Sequence, residues 1–134
     1  MMNVDANERD LINLAWRALE NAHAPYSKFR VGAAIMGASG RTFAGCNVEN
    51  ASYGLTMCAE RTAAFAAVAA GERGFLAVAV VSDGPEATMP CGACRQVLHE
   101  FSNGAVVLVA SRDGRLVRRT LAELLPEPFG KEQL

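Results

Sequence analysis

Three cysteines and one carboxylate have the types and the spacing of a metal-dependent catalytic site. Cys58 is followed two residues later by Glu60, at the head of an alanine-rich run, and Cys91 and Cys94 form a Cys-x-x-Cys pair. Three thiolates leave one position of a tetrahedral zinc ion open for water or substrate. A carboxylate two residues beyond a ligand can reach a water at that position and accept its proton. The residues therefore indicate a zinc hydrolase in which Glu60 carries the proton.

Arg61 has a possible role beside these ligands. Three thiolates give a zinc centre a net negative charge, which weakens its ability to acidify water, so a nearby positive charge is needed. Arg61 follows Cys58 by three residues and shares its helix face, where it could donate hydrogen bonds to the sulfurs. Arg61 and Glu60 also have simpler interpretations. Arg61 could be a surface arginine, and Glu60 could only stabilise the positive end of the helix dipole.

The remaining cysteine and the histidines offer other ligand sets. Cys46 as a fourth ligand would close the site and make the zinc structural, but the residue is better interpreted as a small buried hydrophobe on a strand. His99 follows Cys94 by five residues, which places the two about 140° apart around a helix, so a metal role is not expected. His23 is interpreted as a cap or solvated residue near a helix end.

Apolar spacing and turn signals predict the elements that must position these residues. The predicted order is helix, β-hairpin, helix, strand, helix, strand, strand, helix. Asp5 with Glu8 marks the first helix start, Gly71 the end of the second, and Asp113-Gly114 a turn between the last two strands. The predicted helices are 5–22, 58–70, 92–101 and 121–125, and the predicted strands are 31–36, 42–47, 76–81, 106–110 and 116–117.

This order predicts one α/β domain spanning residues 1–134, with a three-layer α/β/α architecture and a mixed sheet of about five strands. Cys58 and Cys91 each open a helix after a loop that follows a strand. If both helices begin at the same edge of the sheet, the three sulfurs come together. Helix N-termini also lower thiol pKa values, which favours metal binding.

Composition limits the class of protein. The 134 residues are 51% hydrophobic with a net charge of −1, so there is no general attraction for polyanions, and nucleic acid is not an expected partner. No apolar run approaches 18 residues, and Met1 to Asp5 contain no basic region followed by a hydrophobic one, so neither a membrane span nor an export signal is expected. Four cysteines in such a chain are expected to be thiols or ligands. We expect a cytoplasmic protein.

Several longer motifs resemble a known family. Cys58-Ala59-Glu60 with Pro90-Cys91-Gly92-Ala93-Cys94 fits the zinc deaminase signature in its three-cysteine form. From about Tyr26 to Gly130 the chain closely resembles the small homotetrameric, zinc-dependent cytidine deaminases that act on free nucleosides. The further matching stretches are Tyr26-Ser27-Lys28-Phe29, Val31-Gly32-Ala33-Ala34, Gly45-Cys46-Asn47-Val48-Glu49-Asn50-Ala51, Arg61-Thr62-Ala63, and Leu124-Leu125-Pro126 before Phe129-Gly130.

The resemblance implies hydrolytic deamination of cytidine and 2′-deoxycytidine to uridine and 2′-deoxyuridine, in pyrimidine salvage. It implies one Zn²⁺ per subunit on Cys58, Cys91 and Cys94, with water attacking C4 of the base and Glu60 shuttling protons. It also implies a homo-oligomer, expected to be a tetramer. For the base, the resemblance implies contacts from the Ala59 backbone N–H and from the carbonyls near Pro90 and Cys91, with Phe29 stacking on the pyrimidine. Asn47 and Glu49 are implied to bind the sugar hydroxyls. Sites shared between subunits would be lined by Ala51, Tyr53 and Phe129.

Taken without the family, these residues leave alternatives open. Asn47 and Glu49 could be a polar turn after a strand, Phe29 a core aromatic and Phe129 a terminal anchor. Trp16 is expected at the edge of the core, and Arg112, Arg115, Arg118 and Arg119 on the solvated face of a hairpin. Three other functions also remain, namely a deaminase of a modified cytosine nucleoside or antibiotic, a closed-site zinc-binding module, and a polynucleotide-editing deaminase, against which the low net charge counts. Here the resemblance decides: the deaminase branch that acts on a cytosine-containing antibiotic lacks the Asn-x-Glu and Arg features found at Asn47, Glu49 and Arg61, so the resemblance implies the nucleoside.

Overall fold

A computed structural model of the protein describes residues 5–134. Residues 1–4, which belong to the segment where no export signal is expected, lie outside the described range. The helices are α1 (Ala6–Leu19), α2 (Ala59–Ala69), α3 (Gly92–Phe101) and α4 (Leu121–Leu124), and the strands are β1 (Val31–Gly37), β2 (Thr42–Cys46), β3 (Phe75–Ser82), β4 (Ser102–Ala110) and β5 (Leu116–Thr120). Two short 3₁₀ helices, Tyr53–Leu55 and Lys131–Gln133, complete the secondary structure.

The first helix begins where its sequence signal predicts. The Asp5 side chain accepts a hydrogen bond from the Glu8 backbone N–H at 2.8 Å, and the Glu8 carboxylate binds the Asp5 N–H in return. This reciprocal pair satisfies two of the N–H groups that a helix start leaves without partners. The helix ends at Leu19, three residues before the predicted boundary. There the chain tightens into a turn and then extends, because His23 forms a bridge with Val48.

The five strands form one sheet with the order β2-β1-β3-β4-β5. Strands β3 and β4 are parallel, and the other neighbouring pairs are antiparallel. This confirms the predicted mixed sheet. Since β2 and β3 are both antiparallel to β1, they run in the same direction and end at the same edge. In the register with β1, Gly32 lies opposite both Cys46 and Val81, so the two strand ends are also level.

Helices cover both faces of the sheet, as the three-layer prediction requires. Helix α1 packs Leu11, Ala15 and Leu19 against Ala34, Ala79 and Leu108 on one face. Alanines of α2 and Leu98 of α3 pack against Ile35, Val78 and Val107 on the other face. A Cβ atom at Gly32 would lie 2.1 Å from the Ala15 carbonyl oxygen, so glycine at this position lets α1 approach the sheet closely.

The directions of β2 and β3 in the sheet determine where α2 and α3 begin. The chain leaves β2 through residues 47–58 and enters α2, and it leaves β3 through residues 83–91 and enters α3. Because β2 and β3 end at the same edge, α2 and α3 both begin there. Among the described residues, no helix combines the length and the apolar character needed to cross a membrane.

Candidate active site

The three predicted ligands meet where α2 and α3 begin. The Sγ atoms of Cys58, Cys91 and Cys94 all lie within 4.8 Å of one another. The Cys58 and Cys91 sulfurs are 3.9 Å apart, and the Cys91 and Cys94 sulfurs are 3.5 Å apart. Thiolates bound tetrahedrally to one zinc ion, with Zn–S bonds of about 2.3 Å, lie about 3.8 Å apart. The donor set and its spacing therefore fit zinc.

Local backbone conformation explains why these cysteines can act together. Cys58 is the N-cap of α2 and Cys91 the N-cap of α3, each in an extended conformation, and neither side chain caps its own helix. Their sulfurs are therefore free to turn toward the shared site. Cys94 lies in the first turn of α3 and is fully buried. Both helix N-termini direct partial positive charge at the sulfurs.

The electrostatics of the cluster also favour a cation. The pKa of Cys58 is lowered to about 5 by a hydrogen bond from the Cys94 thiol and, to a smaller extent, by Arg61. The pKa of Cys94 is raised because its thiol donates to Cys58 and because it is buried beside Glu60. The two pKa values move in opposite directions because the two sulfurs share one hydrogen bond. A divalent cation lets all three sulfurs bind as thiolates.

Arg61 lies beside the cluster, as the helical spacing predicts. Its Nη2 atom donates to the Cys58 sulfur over 3.4 Å, on the same face of α2. Its Nε atom is buried and is the one buried side-chain nitrogen or oxygen in residues 5–134 without a hydrogen-bond partner. The guanidinium is thus directed at the sulfurs rather than at solvent. This placement fits partial neutralisation of an anionic zinc site.

Glu60, like Glu72, is one of the two buried carboxylates in residues 5–134. It is 5% exposed and lies in the first turn of α2 beside the cysteines. Burial raises the pKa of Glu60 to about 7, and the neighbouring Cys58 thiolate acts in the same direction. A carboxylate that stabilised only the helix dipole would lie in solvent. Its burial in the site is the arrangement expected of a proton carrier.

A cavity of about 180 Å³ opens onto these groups. Cys58, Glu60 and Cys91 line one part of it, and Asn47 and Val31 line another. A larger cavity of about 400 Å³ adjoins it and contains Glu49 and Tyr53. Thr56 lines both cavities.

Asn47 lines the smaller cavity and Glu49 the larger one, and both residues also hold the chain in place. The Asn47 amide donates to the Phe29 carbonyl and accepts from the Val31 N–H, both at 2.9 Å. The Glu49 carboxylate accepts from the Tyr26 N–H at 2.9 Å and from both the N–H and the hydroxyl of Ser27. These bonds lower the pKa of Glu49, the Ser27 hydroxyl first among them. Both residues thus fasten the connector before β1, and neither is merely a polar turn.

The aromatic side chains predicted to contact the substrate differ in how far they are exposed to solvent. Phe29 is half-buried and packs against Gly84, where an added Cβ would lie 3.0 Å from the ring. Tyr53 is 75% exposed and meets Tyr26 edge-on, with ring centroids 5.9 Å apart. Phe129 is 59% exposed, so its ring does not anchor the terminal segment to its own chain. Ala51 is exposed on the loop between β2 and α2.

Cys46 and His99, the less favoured candidates for metal ligands, lie outside the three-cysteine cluster. In the described part of the chain, the group that could hold a metal contains neither Cys46 nor His99. Cys46 is half-buried at the end of β2, and burial raises the pKa of its thiol. The closed four-cysteine site therefore has no geometric support.

The four arginines predicted on the solvated face of a hairpin, Arg112, Arg115, Arg118 and Arg119, are not all solvated. Arg112 pairs with Asp83 at 3.0 Å and stacks over Trp16 at 4.4 Å, while Arg118 binds Glu8. Two of the four arginines therefore tie the β4–β5 hairpin to neighbouring elements. Trp16 packs at the edge of the α1 core, as predicted.

Sequence reasoning missed several residues of the cavity wall. Thr56, Met57, Thr88 and Met89 line it, although the two loops that carry them had no distinctive pattern. The available signal was their position in the chain, since Met57 immediately precedes Cys58 and Met89 immediately precedes Pro90. Residues next to ligands at a helix start face the same cavity as the ligands.

The mixed sheet between helical layers, with an open three-sulfur site and a buried carboxylate, defines a zinc-dependent hydrolytic deaminase. The chain belongs to the family described as cytidine and deoxycytidylate deaminase zinc-binding region, which matches residues 5–110.

Named relatives agree with this family. A cytidine deaminase of Sporosarcina psychrophila is 50% identical over 125 residues, covering 92% of each chain. The crystal structure of a cytidine deaminase from Burkholderia pseudomallei is 48% identical, has a TM-score of 0.86, and covers 90% of this chain and 98% of that one. The cytidine deaminase structure from Mycobacterium tuberculosis is 41% identical with a TM-score of 0.81, covering 94% and 99%. The predicted fold class and the zinc cofactor are confirmed.

Proposed function

We propose that this protein catalyses the hydrolytic deamination of cytidine and 2′-deoxycytidine to uridine and 2′-deoxyuridine, releasing ammonia, as a step of pyrimidine salvage. The observation that carries the proposal is a cluster of three cysteine sulfurs beside a cavity that Cys58, Cys91 and the buried Glu60 line. Relatives 41–50% identical over most of the chain are named cytidine deaminases, which supports the choice of substrate.

Cys58, Cys91 and Cys94 would hold the zinc. When bound, zinc acts as a Lewis acid that makes water a nucleophile at neutral pH. The ligand group contains no fourth cysteine, because Cys46 lies outside it, so these three residues would leave one coordination position for water or substrate. Arg61 donates to Cys58 and so reduces the negative charge of the three thiolates.

Glu60 would move the protons of the reaction. Hydrolysis adds one water across the C4–N4 bond, so a proton must go from water to the base and another to the departing amino group. A buried carboxylate with a raised pKa can accept the first proton and deliver it to N3 of the pyrimidine. It can then accept the second proton from the hydroxyl at C4 and transfer it to the amino group, which leaves as ammonia while C4 becomes a carbonyl. One carboxylate beside C4 can serve both transfers, because it is deprotonated again after the first.

Backbone groups at the two helix starts would orient the base. The Ala59 N–H is among the first N–H groups of α2, which have no partner within the helix, and it could donate to the base carbonyl. The Pro90 and Cys91 carbonyls at the start of α3 could accept from the 4-amino group. These contacts distinguish cytosine from uracil, because only cytosine carries a donor at position 4.

Asn47 and Glu49 retain the capacity to bind the sugar. An amide has two donor hydrogens, and the Asn47 amide commits one of them to the Phe29 carbonyl. A carboxylate has about four acceptor positions, and Glu49 uses three on the Tyr26–Ser27 segment. One remaining donor and one remaining acceptor match a hydroxyl pair. Phe29 would stack on the pyrimidine face.

The exposed aromatic side chains support a shared site in an oligomer. Tyr53 and Phe129 present large apolar surfaces to solvent, and Tyr26, Val48, Leu55 and Phe65 are also exposed. Such surface is costly in an isolated chain and is typical of subunit contacts. We infer a homotetramer in which Ala51, Tyr53 and Phe129 line sites shared between subunits.

The direct test follows the ultraviolet absorbance of each nucleoside as purified, zinc-loaded protein is added. Loss of the cytosine band with release of ammonia supports the proposal for cytidine and for 2′-deoxycytidine separately. If neither nucleoside is turned over, the proposal is wrong. Turnover of a modified cytosine compound in place of both would favour the alternative substrate.

A further inference from the structure

We propose that Arg95 is a positioning residue of the zinc site, because it ties the turn that carries Cys91 to the C-terminal segment. Its Nε atom donates to the Pro90 carbonyl at 2.8 Å, and its Nη1 atom donates to the Leu124 carbonyl at 2.8 Å. One guanidinium thus joins the residue before a ligand to the end of α4, 29 positions along the chain from Arg95. The inference deepens the proposed function and rests on it for the role of Cys91.

Both carbonyls lack a partner in regular structure. Pro90 is buried and lies just before the N-cap of α3, so no helical N–H reaches its carbonyl. Leu124 is the last residue of a four-residue helix, where carbonyls have no N–H ahead of them. A buried carbonyl without a hydrogen bond is unfavourable, and Arg95 satisfies both at once.

Cys91 depends on this support more than the other two ligands do. Cys58 receives a hydrogen bond from Arg61, and Cys94 is fully buried within α3. Cys91 is the exposed member of the three, and its side chain forms no helix cap. The position of its sulfur is therefore set by the backbone of residues 90 and 91, which Arg95 holds.

The chemistry of arginine suits this task. Its planar fork presents several N–H donors in fixed directions, so two separate carbonyls can be held without loss of geometry. A lysine ammonium has the same charge but acts as a single point. The neighbouring Gln96 donates to the Phe129 carbonyl at 2.8 Å, so the first half of α3 holds the C-terminal segment at two places.

The test compares zinc-loaded wild type with Arg95→Met and Arg95→Lys. We expect Arg95→Met to release zinc to a colorimetric chelator about 10- to 100-fold faster, the range found when groups that orient metal ligands are removed. In the cobalt-substituted proteins, the thiolate-to-cobalt absorption band should shift or broaden. Arg73→Met is the matched control, since Arg73 also donates to two backbone carbonyls, those of Val68 and Glu72, at the far end of α2.

Arg95→Lys keeps the test decisive if Arg95→Met does not fold. Lysine can satisfy one of the two carbonyls, so we expect a folded protein with zinc release at least about 5-fold faster than wild type. Wild-type release rates and cobalt spectra in a folded Arg95 variant would overturn the inference. Faster release in Arg73→Met to the same extent would also overturn it. Both readouts are independent of turnover, so a wild type that fails to deaminate cytidine contradicts the proposed function without deciding this one.

Discussion

The Arg61 guanidinium lies 3.4 Å from the Cys58 sulfur, one helical turn along α2. No hydrogen-bond partner satisfies its buried Nε atom within residues 5–134. The half-buried guanidinium faces the sulfurs and can offset part of their negative charge. We therefore expect the strength of the zinc site as a Lewis acid to depend partly on a residue that does not bind the metal.

Replacing Arg61 with glutamine should weaken catalysis while leaving zinc in place. The more anionic site acidifies water less effectively, so we expect kcat/KM for cytidine to fall about 10- to 100-fold. Steady-state kinetics and zinc content measure the two effects. Arg73→Gln, a change of the same type at the other end of α2, should leave kcat/KM near the wild-type value. Unchanged kinetics in Arg61→Gln would assign the residue a structural role only.

Glu60→Gln should remove turnover but not the metal. The amide keeps the size of the side chain but cannot accept and return a proton, so we expect kcat to fall about 10²- to 10⁴-fold or more. Glu72→Gln is the matched control, because Glu72 is also 5% exposed but binds Ser39 and Arg41 away from the site. That variant should lose stability and keep its kcat. Activity retained in Glu60→Gln would exclude it as the proton carrier.

Serine substitutions separate the open site from a closed one. Cys91→Ser should lose zinc, because a hydroxyl is a much weaker ligand than a thiolate. Cys46→Ser should keep one zinc per chain, since Cys46 lies outside the sulfur group. Metal analysis after dialysis gives the stoichiometry. Loss of zinc and fold from Cys46→Ser would instead indicate a structural four-cysteine site.

Asp83 should contribute to stability only above acidic pH. Hydrogen bonds from Arg30, and more weakly from Arg112, lower the pKa of Asp83 from 3.8 to about 2. Because the folded-state pKa is depressed, this stabilisation is complete above about pH 4 and is lost as the pH falls through 2. We expect Asp83→Asn to lower the free energy of unfolding at pH 7 by about 1–2 kcal/mol, after allowance for the 23% exposure of the side chain.

Urea unfolding at several pH values measures this contribution. The difference between wild type and Asp83→Asn should shrink between pH 4 and pH 2. A difference that stays constant across that range would show that the carboxylate charge is not the cause. Asp10→Asn, which replaces an exposed aspartate on α1, provides the control for a change of net charge.

Phe129→Ala tests the shared site. If the exposed ring lines a neighbouring subunit's cavity, its removal should raise KM for cytidine about 10-fold or more, in line with the loss of a buried aromatic contact. Leu134→Ala, which removes another exposed apolar side chain from the same terminal segment, should leave KM unchanged. Light scattering should give four times the chain mass for the wild type. A fully active monomer would contradict both the tetramer and the shared site.

Residues adjacent in the chain allowed the strongest predictions. Cys58, Glu60 and Arg61 lie within one helical turn, so spacing alone predicts a ligand, a carboxylate and a guanidinium on neighbouring positions of α2. The element order also predicts a mixed sheet, because a strand-helix-strand crossover between β3 and β4 requires a parallel pair. Both inferences depend on local periodicity, which a single sequence contains.

Contacts between distant segments could not be predicted in the same way. Glu49 is a polar residue after a strand in the sequence, yet in the fold it fastens the Tyr26–Ser27 segment. Arg95 follows Cys94 without any signal of its own, yet it joins residue 90 to residue 124. Arg112 and Arg118 form a basic cluster in the sequence and become ion pairs with Asp83 and Glu8. Each of these residues has at least one partner that packing brings in from 22 or more positions away in the chain.

The sequence by itself determined the layered α/β architecture and predicted the ligand set and the proton carrier, because residue type and short-range spacing encode element type and donor chemistry. Only the tertiary structure decided that β2 and β3 end at one edge of the sheet, so that Cys58 and the Cys91–Cys94 pair meet. It also decided that Glu60 is buried and that Cys46 is left out. The physical reason is that burial and convergence depend on strand direction and register, which are properties of the whole sheet.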